Sequence, residues 1–247
     1  MEKIRYSYKF IYCLIFLFTI MESSCKKTDD TIVLKETGTV TDVDGNIYKT
    51  IKIGKQWWMA EDLKVKKYKN GDFINQIQSD SLKWNMDTIG AYADNITNSN
   101  ELIGRFYNWY TVKNAKQLAP EGWHIPTDNE WKKMEIFLGM NSSEADKPGW
   151  RGNGEGDKLK KQAPNGWTTF EKVWGNNESG FNAIANGCKL FNSNYGDPGQ
   201  FATEFWWSIS EQNNSEVWYR YLDYKNSAIF RSHTYKNYGF SVRCVKN

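Results

Sequence analysis

Two pairs of adjacent tryptophans, Trp57-Trp58 and Trp206-Trp207, restrict the fold more than any other feature of the sequence. Both lie in short apolar segments typical of β-strands, where neighbouring side chains point to opposite faces of the sheet. The two members of each pair must therefore face opposite sides, and most of these indoles are expected to be core. The chain has 247 residues, including 12 Trp, 14 Tyr and 13 Phe, enough for one core and a second small one.

The start of the chain has the pattern of a bacterial targeting segment. Three basic residues in the first nine positions precede an apolar run from Phe10 to Met21, which is as long as the hydrophobic part of a signal peptide. Two serines lead from Glu22 to Cys25, and the arrangement resembles a lipoprotein lipobox, with Glu22 where that motif usually has Leu. The sequence predicts a signal peptide over residues 1–24 and a lipid on Cys25. The alternative, an uncleaved anchor, fits a run of 12 apolar residues less well.

The segment after Cys25 is polar and without hydrophobic periodicity. It predicts a tether over residues 25–36, followed by one domain over residues 37–247. Asp29-Asp30 resembles the surface-export signals of Bacteroidetes-type lipoproteins, so the expected location is the cell envelope, at the outer membrane, with its face left open. The net charge of +3 and the absence of a long basic stretch argue against nucleic acid as a partner.

Strands are predicted at both ends of the domain. Asp44-Gly45 separates two strand-like arms, Thr39–Val43 and Asn46–Ile53, and indicates a hairpin with a type I′ turn. Later strands are predicted at Phe181–Ile184, Phe205–Ile209, Val217–Leu222, Ser227–Arg231 and Gly239–Val245.

Two helices are predicted between these groups of strands. Apolar residues at helical spacing predict one within Leu102–Ala119. Thr127 and Glu130 form a capping-box pattern at the start of the other, which ends before Gly139. The glycines of segment 152–156 lack the strand and the Gly-Lys-Ser/Thr ending of a phosphate-binding loop, so a flexible loop is expected there. Strands, then helices, then strands is an α+β order.

Several longer motifs occur together in one order. They are Asp44-Gly45-Asn46-x-Tyr48-Lys49-Thr50, Ile53-Gly54-x-Gln56-x-Trp58-Met59-Ala60-Glu61-x-Leu63, Gly104-Arg105-x-Tyr107-Asn108-Trp109-Tyr110, Pro120-x-Gly122-Trp123-His124-x-Pro126-Thr127-x-x-Glu130-Trp131, Ser179-Gly180-Phe181, Trp206-Trp207-Ser208 and Gly239-Phe240-Ser241-Val242-Arg243-Cys244-Val245. Over about residues 37–245 they resemble the Fibrobacter succinogenes major paralogous domain (FISUMP) of bacterial surface lipoproteins. That family is similar to the sulfatase-modifying-factor and C-type-lectin-like folds. The resemblance implies two helices packed on short twisted antiparallel sheets with long loops, and it implies a location more firmly than a reaction.

The resemblance also bears on the cysteines. Ala119 stands where many members of the family have Cys, and Cys188 and Cys244 are the two cysteines left beyond the predicted lipidation site and Cys13. Cys188 is therefore a candidate replacement partner for Cys244 in a disulfide. The alternative is two buried thiols in late strands. A second departure from the family is Asp62, where an Asn is usual.

The sequence offers little for catalysis. Enzymes of the similar sulfatase-modifying fold use cysteine thiols, but Cys188 and Cys244 do not stand in such a motif. His124 and His233 are the only imidazoles, and His124 is expected to make a structural hydrogen bond near the helix entry. No Cys or His pair has metal-ligand spacing, so no cofactor is predicted, and calcium is left open because it needs only oxygen ligands.

The functional expectation rests on aromatic residues in loops. Trp150, Trp167, Trp174 and Tyr195 stand next to Gly or Asn and are candidates for a ligand surface, because aromatic faces stack on the C–H groups of sugars. The favoured hypothesis is a lipid-anchored, non-catalytic binding or adhesion module whose partner is a glycan or a surface protein. The alternatives are an enzyme related to the sulfatase-modifying fold and a structural envelope lipoprotein that binds only other proteins.

Overall fold

A computed structural model describes residues 35–96, 101–162, 167, 175–190 and 202–247. Residues Lys35–Asn247 form one compact unit. The signal peptide, Cys25 and nearly all of the predicted tether lie outside the described residues. In the part of the chain that is described, no helix is long and apolar enough to cross a membrane.

The described elements are mostly short strands. The strands are β1 (Thr37–Thr41), β2 (Ile47–Ile53), β3 (Gln56–Met59), β4 (Asn75–Gln76), β5 (Ala91–Ile96), β6 (Leu102–Asn108), β7 (Trp123–His124), β8 (Gly149–Arg151), β9 (Thr203–Glu211), β10 (Glu216–Asp223), β11 (Ile229–Tyr235), β12 (Gly239–Phe240) and β13 (Val245–Lys246). The helices are α1 (Ser81–Met86), α2 (Trp109–Val112), α3 (Asp128–Phe137), α4 (Ser142–Ala145) and α5 (Glu155–Leu159).

These strands form three sheets, with the orders β1-β2-β3-β13-β7, β8-β11-β10-β9 and β12-β6-β5-β4. All described pairs between these strands are antiparallel except β4 with β5. The fold is thus mixed α+β, with mostly antiparallel sheets and few helices, as the order of the predicted elements indicated. Of the two long helices expected, α3 is the only described helix with more than six residues.

The tryptophan pair of β9 separates two cores, as the strand argument requires. Trp206 packs with Trp58, Trp131 and Phe181 in one apolar cluster, whereas Trp207 packs with Phe240 and other residues of a second cluster. Both indoles are 0 % exposed. The two faces of this one strand therefore fix the positions of both cores.

The predicted β1–β2 hairpin is confirmed, but its turn is longer than the predicted two residues. Gly45 N–H donates to Asp42 O at 3.1 Å, and Asp42 N–H donates to Asn46 O at 3.0 Å. Gly45 has a φ of +84°, whereas Asp44 is not in the left-handed region that a type I′ turn needs at both central positions. The Asp42 carboxylate closes the loop by accepting the backbone N–H groups of Asp44 and Asn46 at 2.9 and 3.0 Å.

The helix predicted within Leu102–Ala119 is wrong over most of its length. Residues Leu102–Asn108 form strand β6, and only Trp109–Val112 are helical. The last five residues of β6 are all buried, so the strand shows no alternation of polar and apolar residues. The apolar spacing that suggested a helix spans the junction between β6 and α2, where the Asn108 side chain accepts a hydrogen bond from Thr111 N–H.

The helix predicted from the capping box is confirmed as α3. The Thr127 hydroxyl accepts from Glu130 N–H at 3.2 Å, and the Glu130 carboxylate accepts from Thr127 N–H at 2.8 Å. The helix places Trp131 and Met134 in the core. Both cap partners are local in sequence, which is why the pattern could be recognised.

The glycine segment and two of the late strands differ from expectation. Segment 152–156, expected to be a flexible loop, follows β8 directly and includes the start of α5, and Gly156 is required there because a Cβ would lie 2.4 Å from Ala228 O. Phe181–Ile184 forms only an isolated bridge at Ala183, and Gly239–Val245 contributes the separate strands β12 and β13. Chain segments that pack against neighbouring backbone need not carry a strand pattern of their own.

Candidate functional site

A row of four aromatic residues crosses the sheet β8-β11-β10-β9. Trp150 is the register partner of Phe230, Phe230 is that of Tyr221, and Tyr221 is that of Phe205. Each strand contributes one ring, and directly paired residues project on the same face of a sheet. With strands about 4.8 Å apart, the row is roughly 14 Å long. We refer to Trp150, Phe205, Tyr221 and Phe230 as the aromatic ladder.

The rings of the aromatic ladder contact one another in sequence. The Trp150–Phe230, Phe230–Tyr221 and Tyr221–Phe205 centroid distances are 5.1, 5.7 and 4.5 Å. Phe205 also stacks on buried Phe240 at 5.0 Å, so this end of the row is attached to the core. Trp150 at the other end is 41 % exposed, and the three remaining rings are half-buried. The ladder therefore changes from core to open surface along its length.

Polar groups lie beside the aromatic ladder. The Tyr221 hydroxyl donates to Asp223 Oδ2 at 2.7 Å, and Asp223 Oδ1 accepts from Lys225 N–H at 2.7 Å. Burial, together with the hydrogen bond to Asp223, raises the pKa of Tyr221 above its usual value. The phenol therefore stays neutral, with oxygen lone pairs for a further donor.

The opposite face of the same sheet carries a layer of arginines. Arg151, Arg220 and Arg231 each stand next to a residue of the aromatic ladder in the sequence, and alternation turns them to the other face. All three are at most 5 % exposed. Arg220 Nη1 and Arg231 Nη2 each lie 2.8 Å from an Asp128 carboxylate oxygen on α3. We refer to Arg151, Arg220 and Arg231 together with Asp128 and Glu135 as the arginine layer.

Glu135 is the second acid of the arginine layer. Its oxygens accept from Arg220 Nε at 2.5 Å and from Arg151 Nη1 and Nη2 at 2.8 and 3.1 Å. Burial raises the pKa of Glu135, but Arg220 and Arg151 outweigh that effect and hold it below its usual value. The pKa of Asp128 is lowered in the same way, against burial, by Arg231 and Arg220. Both acids are therefore carboxylates at neutral pH, and they attach α3 to the back of the ladder.

The family model for the Fibrobacter succinogenes major domain matches residues 51–246. This range includes every described strand after β2 and therefore the whole of the β8-β11-β10-β9 sheet. The chain belongs to this family. No curated protein and no solved structure matches the chain.

Of the four predicted ligand residues of this Fibrobacter succinogenes major domain, the structure describes Trp150 and Trp167. Trp150 lies at the exposed end of the aromatic ladder. Trp167 is 4 % exposed and its Nε1 donates to Ala183 O at 2.8 Å, so the prediction that it lines a ligand surface is wrong. A glycine neighbour suggested a loop, but the indole fills the core cluster around Trp58. Trp174 and Tyr195 lie outside the described residues.

Of the two alternatives for the cysteines, a disulfide or two buried thiols, the structure has the buried thiols. Cys188 and Cys244 are both buried thiols, and the described residues contain no disulfide between them. Both thiols lie in the apolar cluster that contains Trp207 and Phe240. Burial raises the pKa of the Cys244 thiol. A reactive cysteine has the reverse properties, exposure and a lowered pKa.

The prediction that His124 makes a structural hydrogen bond near the helix entry is confirmed. Its Nε2 lies 2.8 Å from Glu130 Oε1 in the capping box, and its Nδ1 lies 2.6 Å from Asn247 Oδ1. The imidazole thus joins the start of α3 to the last residue of the sequence. Among the described residues, no group of three or more His, Cys, Asp or Glu is arranged to hold a metal ion.

Asp62, which stands where the family usually has Asn, has a defined structural role. Its Oδ1 accepts from Arg243 Nε at 2.7 Å and from Trp206 Nε1 at 2.9 Å, and its Oδ2 accepts from Asn186 Nδ2 at 2.6 Å. The side chain is buried, so the carboxylate supplies the charge that Arg243 needs.

Sequence reasoning missed Phe205, Tyr221 and Phe230. Each was assigned to a strand, where core packing was the default expectation. The available signal was the adjacency of an aromatic residue and an arginine in Trp150-Arg151, Arg220-Tyr221 and Phe230-Arg231. In a strand, that dipeptide places a cation on one face and a ring on the other.

Proposed function

We propose that this chain is a lipid-anchored lipoprotein of the bacterial cell envelope, at the outer membrane, and that its domain binds carbohydrate without catalysis. The observation that carries the binding role is the aromatic ladder, with Trp150 exposed at its end. The lipobox-like sequence at Cys25 supports the anchor. The α+β architecture supports a C-type-lectin-like or sulfatase-modifying-factor-like fold as the finer assignment.

The chemistry of the ladder suits a sugar polymer. Ring faces pack against the C–H groups of a sugar, and the polar edges of tyrosines bond to hydroxyls at a wet surface. The ladder is an extended row about 14 Å long rather than a closed pocket, so it would contact more than one ring of an extended chain. Asp223 and the Tyr221 hydroxyl lie where such a chain would present its hydroxyl groups.

The arginine layer supports binding by a rigid surface. Three guanidinium groups and two carboxylates fix the back of the sheet to α3, so the rings do not need to be ordered when the ligand binds. The buried thiols speak against a thiol enzyme, because neither is placed as an exposed nucleophile.

The test of the binding role is a polysaccharide and glycan screen with the full-length chain in mild detergent. Trp150→Ala is expected to weaken binding to the best glycan about tenfold, which corresponds to about 1.4 kcal/mol. The matched control is Trp57→Ala, which removes a half-buried indole from a different sheet and should leave binding unchanged. If no glycan binds, or if both variants bind alike, the carbohydrate role is rejected and a protein partner becomes the alternative to pursue.

The anchor is tested separately by lipid labelling in cells. The wild-type chain should incorporate a labelled fatty acid and sediment with the outer membrane, and Cys25→Ser should do neither, because the thiol is the acceptor of the lipid. Cys13→Ser is the matched control, since it changes the other N-terminal cysteine. Equal labelling of wild type and Cys25→Ser would contradict the lipoprotein assignment.

A further inference from the structure

A buried glutamate on β9 lies outside the arginine layer. Glu204 is 0 % exposed, and alternation along the strand places its side chain on the same face as buried Trp206. Polar side chains that are each at most 4 % exposed lie around it. We refer to the following group as the Glu204 cluster: Asp62, Asn186, Glu204, Ser241 and Arg243.

The Glu204 cluster contains two acids and one cation. Arg243 donates from Nε to Asp62 Oδ1 at 2.7 Å, and its other nitrogens donate to backbone oxygens. Within the described residues, no cation forms an ion pair with Glu204. Arg243 therefore balances one carboxylate, and a second charged carboxylate would be buried without a counter-charge, which is strongly unfavourable.

The hydrogen-bond donors of the cluster distinguish the two acids. Asp62 accepts three hydrogen bonds from side chains, at 2.7, 2.9 and 2.6 Å. Glu204 accepts one, at Oε2 from Asn186 N–H at 2.6 Å, and its Oε1 is buried with no partner among the described residues. Because donors stabilise the charged form of a carboxyl group, a single proton shared by this cluster belongs on Glu204 rather than on Asp62.

The cluster is also short of hydrogen atoms. Three of its buried oxygens have no partner in the described part of the chain, namely Glu204 Oε1, Asn186 Oδ1 and Ser241 Oγ. If both acids are ionised, these three oxygens carry one hydrogen between them, that of the serine hydroxyl. A proton on Glu204 Oε1 adds a second donor to a group of acceptors whose burial without one is costly.

Burial and charge act in the same direction on Glu204. Burial raises the pKa of Glu204 well above its usual value, the Asp62 charge raises it further, and the donors around it offset only part of this rise. Glu135 of the arginine layer is equally buried, but Arg220 and Arg151 hold its pKa below the usual value. Two equally buried glutamates are thus shifted in opposite directions, because only one of them is bound by arginines.

We infer that Glu204 is a neutral carboxylic acid in the folded protein at neutral pH, and that its proton stabilises the strand junction at the start of β9. At this junction Gly187 N–H donates to Thr203 O at 2.8 Å, and Ser241 N–H donates to Phe205 O at 3.0 Å. Glu204 therefore lies between the two segments that join β9 there. Loss of the proton leaves two carboxylates with one arginine inside the junction. The inference needs no ligand and is independent of the proposed function.

The proton makes the stability of the domain fall toward alkaline pH. The pKa of Glu204 is higher in the folded protein than the value of about 4.3 in the unfolded chain, so the folded state binds more protons. The stabilising contribution is complete below about pH 4.3 and is lost as the pH rises from there through the folded pKa. Asp62, in the segment after β3, and Arg243, between β12 and β13, are the charged groups of the described residues that face Glu204.

The first test compares wild type with Glu204→Gln, both full-length in mild detergent, by urea denaturation between about pH 4 and about pH 8. The amide is the uncharged counterpart of the protonated acid and does not titrate. The unfolding constant of wild type relative to that of Glu204→Gln should rise about tenfold per pH unit above about pH 5, until the folded acid ionises. The other titrating groups are common to both proteins and cancel in this ratio.

Infrared spectroscopy of the folded proteins at about pH 7 observes the proton directly. Wild type and Glu135→Gln should both have the C=O stretching band of a protonated carboxyl group, and Glu204→Gln should lack it. Glu135→Gln is the matched control, because it makes the same change in a side chain of the same exposure whose carboxyl group is ionised. The wild-type spectrum requires no variant, so this measurement decides the matter even if Glu204→Gln folds poorly.

Three results would overturn the inference. They are a wild-type spectrum without the protonated-carboxyl band at neutral pH, a band that persists in Glu204→Gln, and a ratio of unfolding constants that does not change with pH. A Glu204→Gln variant that loses more stability at neutral pH than at acidic pH, as Glu135→Gln should, would overturn it as well.

Discussion

At the scale of single residues, Glu135 is the most demanding position of the domain. It is 0 % exposed and accepts three hydrogen bonds from Arg151 and Arg220. Removing one partner of a buried ion pair leaves an uncompensated charge, which is far more destabilising than replacing the whole pair by apolar residues. The arginine layer therefore depends on both signs of charge being present together.

Glu135→Gln is predicted to lower the free energy of unfolding by about 3 kcal/mol at neutral pH, because buried Arg151 loses its counter-charge and Arg220 keeps only Asp128. Urea denaturation followed by tryptophan fluorescence measures this change. Glu121→Gln is the matched control, because the Glu121 side chain is 83 % exposed in its ion pair with Lys69, and its effect should be below about 1 kcal/mol.

The same pair of variants predicts a pH dependence. The pKa of Glu135 is lower in the folded protein than in the unfolded chain, so its contribution is present above the unfolded value of about 4.3 and is lost as the pH falls toward the lowered folded pKa. Wild type should therefore lose more stability than Glu135→Gln between neutral pH and about pH 3. Parallel pH profiles for the two proteins would contradict the assignment of a charged Glu135.

At the scale of elements, α3 is the piece whose boundaries follow most directly from sequence. Thr127 and Glu130 satisfy each other's backbone N–H groups, and the hydroxyl and carboxylate are only three residues apart. The His124 ring contacts the same carboxylate and joins β7 to the helix start. A local motif thus determines how one layer of the fold begins.

Thr127→Ala is predicted to destabilise the protein by about 1 kcal/mol, because Glu130 N–H loses its acceptor. Thr127→Ser keeps the hydroxyl and should stay within about 0.5 kcal/mol of wild type. The measurement is the urea midpoint at constant slope. Equal losses in the two variants would mean that the threonine methyl, rather than the cap, stabilises this position.

The other elements show where local sequence stops being informative. The opposed faces of Trp206 and Trp207 follow from the geometry of any strand, and this prediction is confirmed. Strand β6 was mistaken for a helix because burial on both sides removes alternation. Trp167 was assigned to the surface from one glycine neighbour, although tertiary packing places it in the core.

At the scale of the whole molecule, the candidate site arises from register, which sequence alone does not provide. Trp150 and Phe205 are 55 positions apart in the sequence, yet three strand pairings place them at the two ends of one row. Trp150 was predicted as a ligand residue from its glycine neighbour, and the structure places it at the exposed end of that row. An adjacent arginine marks Tyr221 and Phe230 in the sequence, but only the strand order places them in one row with Trp150 and Phe205.

In three strands of this sheet, an aromatic ring on one face alternates with an arginine on the other, so the residues of the two faces are under different evolutionary constraints. Positions that face α3 are constrained by charge matching, whereas the outward positions 150 and 230 are constrained mainly by what the surface must recognise. A duplicated copy of the gene can therefore exchange its outward side chains and acquire a new specificity while the inherited scaffold is unchanged. In a family of paralogues, variation should concentrate on every second residue of these strands.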